Sequence, residues 1–208
     1  YVSFIGPSGS GKTTSVDILI GLLKPSSGNV SIDQDLLEEV ELDSFLAHVG
    51  YVQQTPFLFN GSIKDNLLWS NPSATEKEMW DALHLANIDS FVSSTERQLD
   101  TSVGDRGVSM SGGQKQRIAL ALALVRNPSI LVLDEATNSL DYESERSIIK
   151  ALDNISHKVT IISISHQPSM AKNSDYVFVF NEGEIVESGT YDNLIDSKNS
   201  FLYKMKHK

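Results

Sequence analysis

Gly6-Pro7-Ser8-Gly9-Ser10-Gly11-Lys12-Thr13 is the stretch whose reading decides the fold. It fits G-x-x-x-x-G-K-[ST], and its flanks suit that pattern. Val2-Ser3-Phe4-Ile5 reads as a strand. Lys12 to Leu23 reads as a helix, with Val16, Leu19, Ile20 and Leu23 on one face. Glycines let successive backbone N–H groups turn inward around phosphate oxygens. The helix that follows offers its positive N-terminus to the same anion. Lys12 is placed to reach β and γ phosphates, and the Thr13 hydroxyl to ligate Mg²⁺. Gly6, Ser8, Gly9, Ser10, Gly11 and Thr14 make up the rest of the expected cradle. The plainer alternative is a glycine turn between a strand and a helix.

Further along, Ile130-Leu131-Val132-Leu133 is a continuous apolar run that ends in Asp134-Glu135. A buried strand would deliver Asp134 to its C-terminal end, where open α/β sheets bind ligands. There Asp134 can hold the Mg²⁺ of a nucleotide. Glu135 would face the other way if the strand continued, and is the candidate to orient or deprotonate an attacking water. Apolar strands ending in Asp are common, so this element draws its weight from the cradle.

Between these two elements the chain changes character. Asn29–Ile32 and Val49–Val52 read as strands, and the acidic stretch from Leu36 to Leu46 as a helix. From about 57 to 126 the pattern is helical: Thr75 and Glu78 form a capping box, and a second helix opens at Ser111 and stops near Arg126, before Pro128. Strand and helix then alternate again: Ile130–Leu133, helix Tyr142–Ile155, Val159–Ile164, Tyr176–Phe180, Glu184–Glu187, and a closing helix from Tyr191 to Met205. Continuous apolar strands between helices predict a largely parallel sheet buried on both faces. The expected division is an α/β core over 1–56 and 127–208, with the C-terminal helix, and an inserted helical subdomain over 57–126.

Composition narrows the function. Among 208 residues, 40% are hydrophobic and 21% charged, ordinary for a globular chain. Seventeen Lys and Arg stand against 27 Asp and Glu, a net charge of −10, which argues against a broad nucleic-acid footprint. The absence of cysteine excludes disulfide scaffolds, thiolate metal sites and cysteine nucleophiles. The longest apolar run is Ile118 to Val125, far short of the roughly 20 residues of a membrane span. Because Tyr1 opens directly into a strand, the chain reads as an excised piece of a longer one.

Ser109-Met110-Ser111-Gly112-Gly113-Gln114 precedes the acidic strand. Ser111 and Gln114 form a capping box, and a well-capped helix is the plain reading. The paired glycines are not required for a cap. They leave bare N–H groups at a helix N-terminus, which suits an anion, and with one cradle already present this second site points to another subunit's nucleotide.

With these residues in place, the sequence resembles the nucleotide-binding domain of the ATP-binding cassette (ABC) transporters. Met110-Ser111-Gly112-Gly113-Gln114 is similar to the signature L-S-G-G-Q. Asn138-Ser139-Leu140-Asp141 resembles the D-loop, Gln54 the Q-loop glutamine, and His166, after Ile164-Ser165, the switch histidine. Thr101-Ser102-Val103-Gly104-Asp105-Arg106-Gly107 and Pro56-Phe57-Leu58-Phe59-Asn60-Gly61-Ser62-Ile63 resemble exporter segments, as does Gly183–Thr190. The kind implied is the lipid A flippase, multidrug or peptide exporter. Ser102, Leu122 and Leu46 depart from the usual pattern. The family's adenine-stacking aromatic belongs upstream, Tyr1 being too close to the cradle.

The resemblance implies a P-loop NTPase, RecA-like core with an inserted signature subdomain, and Mg²⁺-dependent ATP hydrolysis coupled to export at the cytoplasmic face of a membrane. Lys12, Gln54, Glu135 and His166 are the implied catalytic residues, and Thr13, Gln54 and Asp134 the Mg²⁺ contacts. Ser111, Gly112, Gly113, Gln114 and Asp141 would meet the nucleotide of a second, identical or different, nucleotide-binding domain. Transmembrane coupling helices would dock near Gln54–Ile63, which predicts an exposed apolar patch at Phe57, Leu58 and Phe59. Two alternatives stay open: a non-transport soluble ATPase of the same superfamily, and a nucleotide-gated binding module with little turnover.

Overall fold

A computed structural model of the chain describes residues 1–104, 107–136 and 142–207. In chain order the elements are β1 (Val2–Ile5), α1 (Lys12–Leu19), β2 (Ser31–Ile32), β3 (Asp35–Leu36), α2 (Leu42–Leu46), β4 (Val49–Val52) and β5 (Gly61–Ser62). Next come α3 (Ile63–Ser70), α4 (Glu76–Leu85), α5 (Asp89–Ser94), β6 (Ser102–Val103), α6 (Gly112–Leu124) and β7 (Ile130–Asp134). The last are α7 (Tyr142–Ile155), β8 (Thr160–Ser165), β9 (Tyr176–Asn181), β10 (Glu184–Gly189), α8 (Tyr191–Asp196) and α9 (Phe201–Lys206). Among the described residues the main sheet has six strands in the order β10-β9-β1-β8-β7-β4. β1 pairs parallel with both β8 and β9, and β10 pairs antiparallel with β9. This is the mixed α/β, mostly parallel P-loop architecture that the strand–cradle–helix reading anticipates.

The chain falls into two compact units. The first comprises Tyr1–Val49, Val132–Glu135 and Thr160–Lys208. Its core gathers Ile5, Val177 and Val179 from the sheet with Ala171, Tyr191 and Leu202, and α8 and α9 pack their Leu194, Phe201 and Met205 against it. The second comprises Gly50–Leu131 and Ala136–Val159. Here α6 packs on α3, α4 and α7, and Ile63, Leu67, Met79, Leu83, Ile118, Ile148 and Leu152 are buried. Three capping boxes open helices in this unit: Ser62 with Asp65, Thr75 with Glu78, and Ser111 with Gln114.

Three of the stretches that differ from the sequence expectation have a visible cause. α1 stops at Leu19 instead of Leu23, because Gly21 takes a left-handed φ of 78° and the N–H groups of Leu22 and Leu23 fold back onto the Asp17 carbonyl. Leu36–Leu46 is not one helix. Leu36 pairs with Ser31 across a short hairpin, a 3₁₀ turn follows at Leu37–Glu39, and α2 begins only at Leu42. The closing helix is two helices. Thr190 caps α8 and Ser200 caps α9, while the Glu187 carboxylate on β10 accepts from the N–H groups of Phe201 and Leu202 and from the Ser200 hydroxyl.

Candidate nucleotide-binding site

The cradle lies in the first unit, between β1 and α1. Gly9 and Gly11 hold φ of 78° and 94°, a region that favours glycine, and Gly11 is the residue from which α1 starts, with no side-chain cap on its first turn. A Cβ at Gly6 would collide with the Phe180 carbonyl. The turn after β9 supports the loop from below, the Gly183 N–H donating to the Ser10 carbonyl at 3.2 Å. Ser8 and Gly9 are exposed, whereas Lys12 is 4% exposed. Its ammonium donates to the carbonyls of Gly6 (2.9 Å) and Pro7 (2.7 Å) and lies 3.4 Å from the Ser10 hydroxyl. Burial lowers the Lys12 pKa from its ordinary 10.5, against the opposing pull of the Glu135 and Asp134 carboxylates.

β7 brings two acids to this end of the sheet. The Thr13 hydroxyl donates to Asp134, 3.2 Å from each carboxylate oxygen. A hydroxyl beside a carboxylate is a hard oxygen pair, and Mg²⁺ takes such a pair while keeping waters and phosphate oxygens. No group of three His, Asp or Glu suited to a metal exists among the described residues. The strand does not continue through Glu135. Its φ is 50°, and its N–H donates to the Ile164 carbonyl on β8 at 3.0 Å. A left-handed glutamate costs about 1–3 kcal/mol, and such strain clusters at functional sites. Glu135 Oε1 lies 3.6 Å from Nδ1 of His166, which follows β8 and is 47% exposed at its side chain. The first unit therefore brings Lys12, Thr13, Asp134, Glu135 and His166 together.

Gln54 and Ser111–Gln114 lie in the second unit. Gln54 follows β4 and is exposed. Next to it, the Gln53 carbonyl accepts from the buried Gln116 side chain on α6 at 3.1 Å. The Gln114 side chain accepts from the Ser111 N–H at 2.9 Å, and the Ser111 hydroxyl accepts from the Gln114 N–H at 3.2 Å. The two exporter-like segments meet, Gly61 pairing with Val103 and Ser62 with Ser102. Pro56–Asn60, Gly104 and Lys115 line a cavity of about 330 Å³. Phe57 is 74% exposed beside it, and Phe59 sits edge-on to the exposed Trp69. Buried Asn66 pins this loop by bonding both backbone groups of Phe59. The stretch from 137 to 141, with Ser139 and Asp141, and the pair Asp105 and Arg106 lie outside the described residues.

The family description "ABC transporter" matches residues 1–138. The chain belongs to the ABC transporter family. It is 42% identical, over 98% of its length, to the ATP-dependent permease MDL1 of Candida albicans, and spans 30% of that protein. It is 43% identical, over 93% of its length, to P-glycoprotein 14 of Caenorhabditis elegans, and spans 15% of it. A solved bacterial Atm1-family ABC exporter with ATP bound superposes with a TM-score of 0.89 and 35% identity, over 98% of this chain and 36% of that one. This ABC chain corresponds to the nucleotide-binding domain of such exporters, a domain that binds and hydrolyses ATP.

Three positions in this ABC domain escaped the sequence reading. Asp17 lies one helical turn beyond Thr13, and burial, reinforced by the Asp134 charge, raises its pKa. Gln116 anchors the Gln53 backbone, yet a glutamine on a helix reads as surface. Ser144 is buried against Gly113, and its only sequence signal was proximity to the Asn138–Asp141 motif.

Proposed function

We propose that this chain is the cytoplasmic, Mg²⁺-dependent ATPase engine of an integral membrane exporter, working as a head-to-tail pair with a second nucleotide-binding domain. The observation that carries the reading is the constellation in the first unit: a buried lysine in a glycine loop, a Thr13–Asp134 oxygen pair, and Glu135 against His166. The glycine loop from Gly6 to Gly11, with Thr14, wraps the phosphates by its N–H groups, and Lys12 exchanges its loop carbonyls for phosphate oxygens. Thr13 and Asp134 would hold a Mg²⁺ ion, which would supply charge neutralisation on the phosphates, and Gln54 is the further contact that the family resemblance implies. Glu135 accepts a proton from the attacking water, and His166 donates to the γ-phosphate.

In the partner's site, the N–H groups of Gly112 and Gly113, with Ser111, Gln114 and Asp141, close over the nucleotide, and closure excludes water. The functional division we propose is an α/β catalytic core over 1–56 and 127–208 and a signature subdomain over 57–126. The coupling helices of a transmembrane domain dock at Gln54–Ile63, where Phe57 is exposed. No described helix is long and apolar enough to cross a membrane. The negative net charge weighs against a nucleic-acid partner.

The test is Mg²⁺-dependent ATP hydrolysis against protein concentration, with Glu135→Gln as control. Specific activity should rise with concentration, and the variant should lose about 10²- to 10⁴-fold in kcat while still binding ATP. Activity independent of concentration would remove the shared site.

A further inference from the structure

Gly113 is the second residue of α6 and is buried, and a helix disfavours glycine against alanine unless something requires it. Something does, and it is protein. A Cβ built on Gly113 would lie 2.5 Å from the Ser144 Cβ and closer still to its Oγ. Ser144 is the third residue of α7 and is 8% exposed. Both residues belong to the second unit, where α6 and α7 pack together. The Ser144 side chain therefore fills the notch that Gly113 leaves. Packed interiors tolerate no such overlap, so an alanine at 113 would force the first turn of α6 away from α7.

We infer that Ser144 is a positioning residue for the signature: it sets where the Gly112, Gly113 and Gln114 N–H groups stand, and it is the reason residue 113 must be glycine. The inference rests on the proposed role of Ser111–Gly113 in a partner's site. It gives Gly113 a packing duty that Gly112 does not have. Gly112, exposed at the helix start, is free to face a ligand. Gly113 faces α7 and makes room for Ser144.

The test is a rescue experiment in the full-length transporter, comparing Gly113→Ala, Ser144→Gly and the double variant by kcat, KM and binding of a fluorescent ATP analogue. Gly113→Ala should lower kcat about 100-fold, the order expected for a misplaced binding group, with analogue affinity at its own cradle unchanged. Adding Ser144→Gly should restore most of that loss. A folded double variant as inactive as Gly113→Ala alone overturns the inference, because the nucleotide and not Ser144 would then demand the glycine. A second readout needs no turnover: Ser144→Gly should speed amide exchange at residues 112–116 and leave α4 unchanged. Unaltered exchange there also overturns it. Failure of the shared-site reading shows itself separately, as wild-type hydrolysis independent of protein concentration.

Discussion

The N-termini of α1 and α6 are both glycine-rich and both assigned to phosphate, yet they are built differently. α1 starts from Gly11 in a left-handed conformation, without a side-chain cap, beside a buried ammonium that donates to loop carbonyls. Its field and its cation are available to an anion with no further partner. α6 starts from Ser111 in an extended conformation and closes its own capping box with Gln114. Part of its donor capacity is satisfied within the helix, and none of its first-turn residues is acidic. The first is a site that can bind alone. In the shared site proposed above, the second adds its contribution when an already bound nucleotide is presented to it.

The largest effect that would break this contrast is on binding. Lys12→Ala should weaken ATP affinity roughly 10- to 100-fold, the worth of charge-assisted hydrogen bonds. Ser111→Ala should leave the affinity of the isolated domain unchanged, and equilibrium titration of both variants checks this. Equal losses would mean that the two helix ends act alike.

A smaller effect sharpens the contrast. The capping boxes at Ser62 and Thr75 close with carboxylates, Asp65 and Glu78, but the box at Ser111 closes with an uncharged amide. A carboxylate caps at least as well, so stability does not select the amide. In the proposed shared site an approaching phosphate would, through like-charge repulsion. Gln114→Glu should therefore keep the fold and the monomer's ATP affinity while lowering kcat roughly tenfold. Steady-state kinetics with a thermal melt would show it, and an unchanged kcat would remove the anion from the signature.

The smallest effect is in acid. Backbone and side-chain hydrogen bonds from Ser62 hold Asp65 below its ordinary 3.8, and those from Thr75 hold Glu78 below 4.5. Groups with depressed values contribute stability above their ordinary pKa and lose it as pH falls through the depressed one. Asp65→Asn and Glu78→Gln should flatten the loss of urea stability below about pH 4.5. Gln114→Ala should shift stability by the same amount at every pH, since an amide does not titrate.

What could be read along the chain was local. Ser111 and Gln114 are three residues apart, and a cap depends on that spacing alone. The cradle between β1 and α1 is likewise a short run with a strand before and a helix after. The closing helix could not be read correctly, because Glu187 interrupts it from another strand. The length of α1 was overestimated because Gly21 ends it through backbone bonds to Asp17 that apolar periodicity does not register. Asp134 was placed at a strand end by its apolar run, but the left-handed turn at Glu135 depends on the Ile164 carbonyl of β8.

By itself, then, the sequence determined which chemical groups this protein carries and in what order: the glycine loop, the lysine, the acid pair, the capped glycines, the histidine. Those are properties of residue type and short spacing. Only the tertiary structure decided which of them meet. His166 stands against Glu135, and Thr13 bridges both oxygens of Asp134, because β1, β8 and β7 are neighbours in one sheet. Gly113 is matched to Ser144 because two helices pack closer than an alanine allows. Such pairings join residues far apart in the chain through hydrogen bonding and close packing, and neither is written in local spacing.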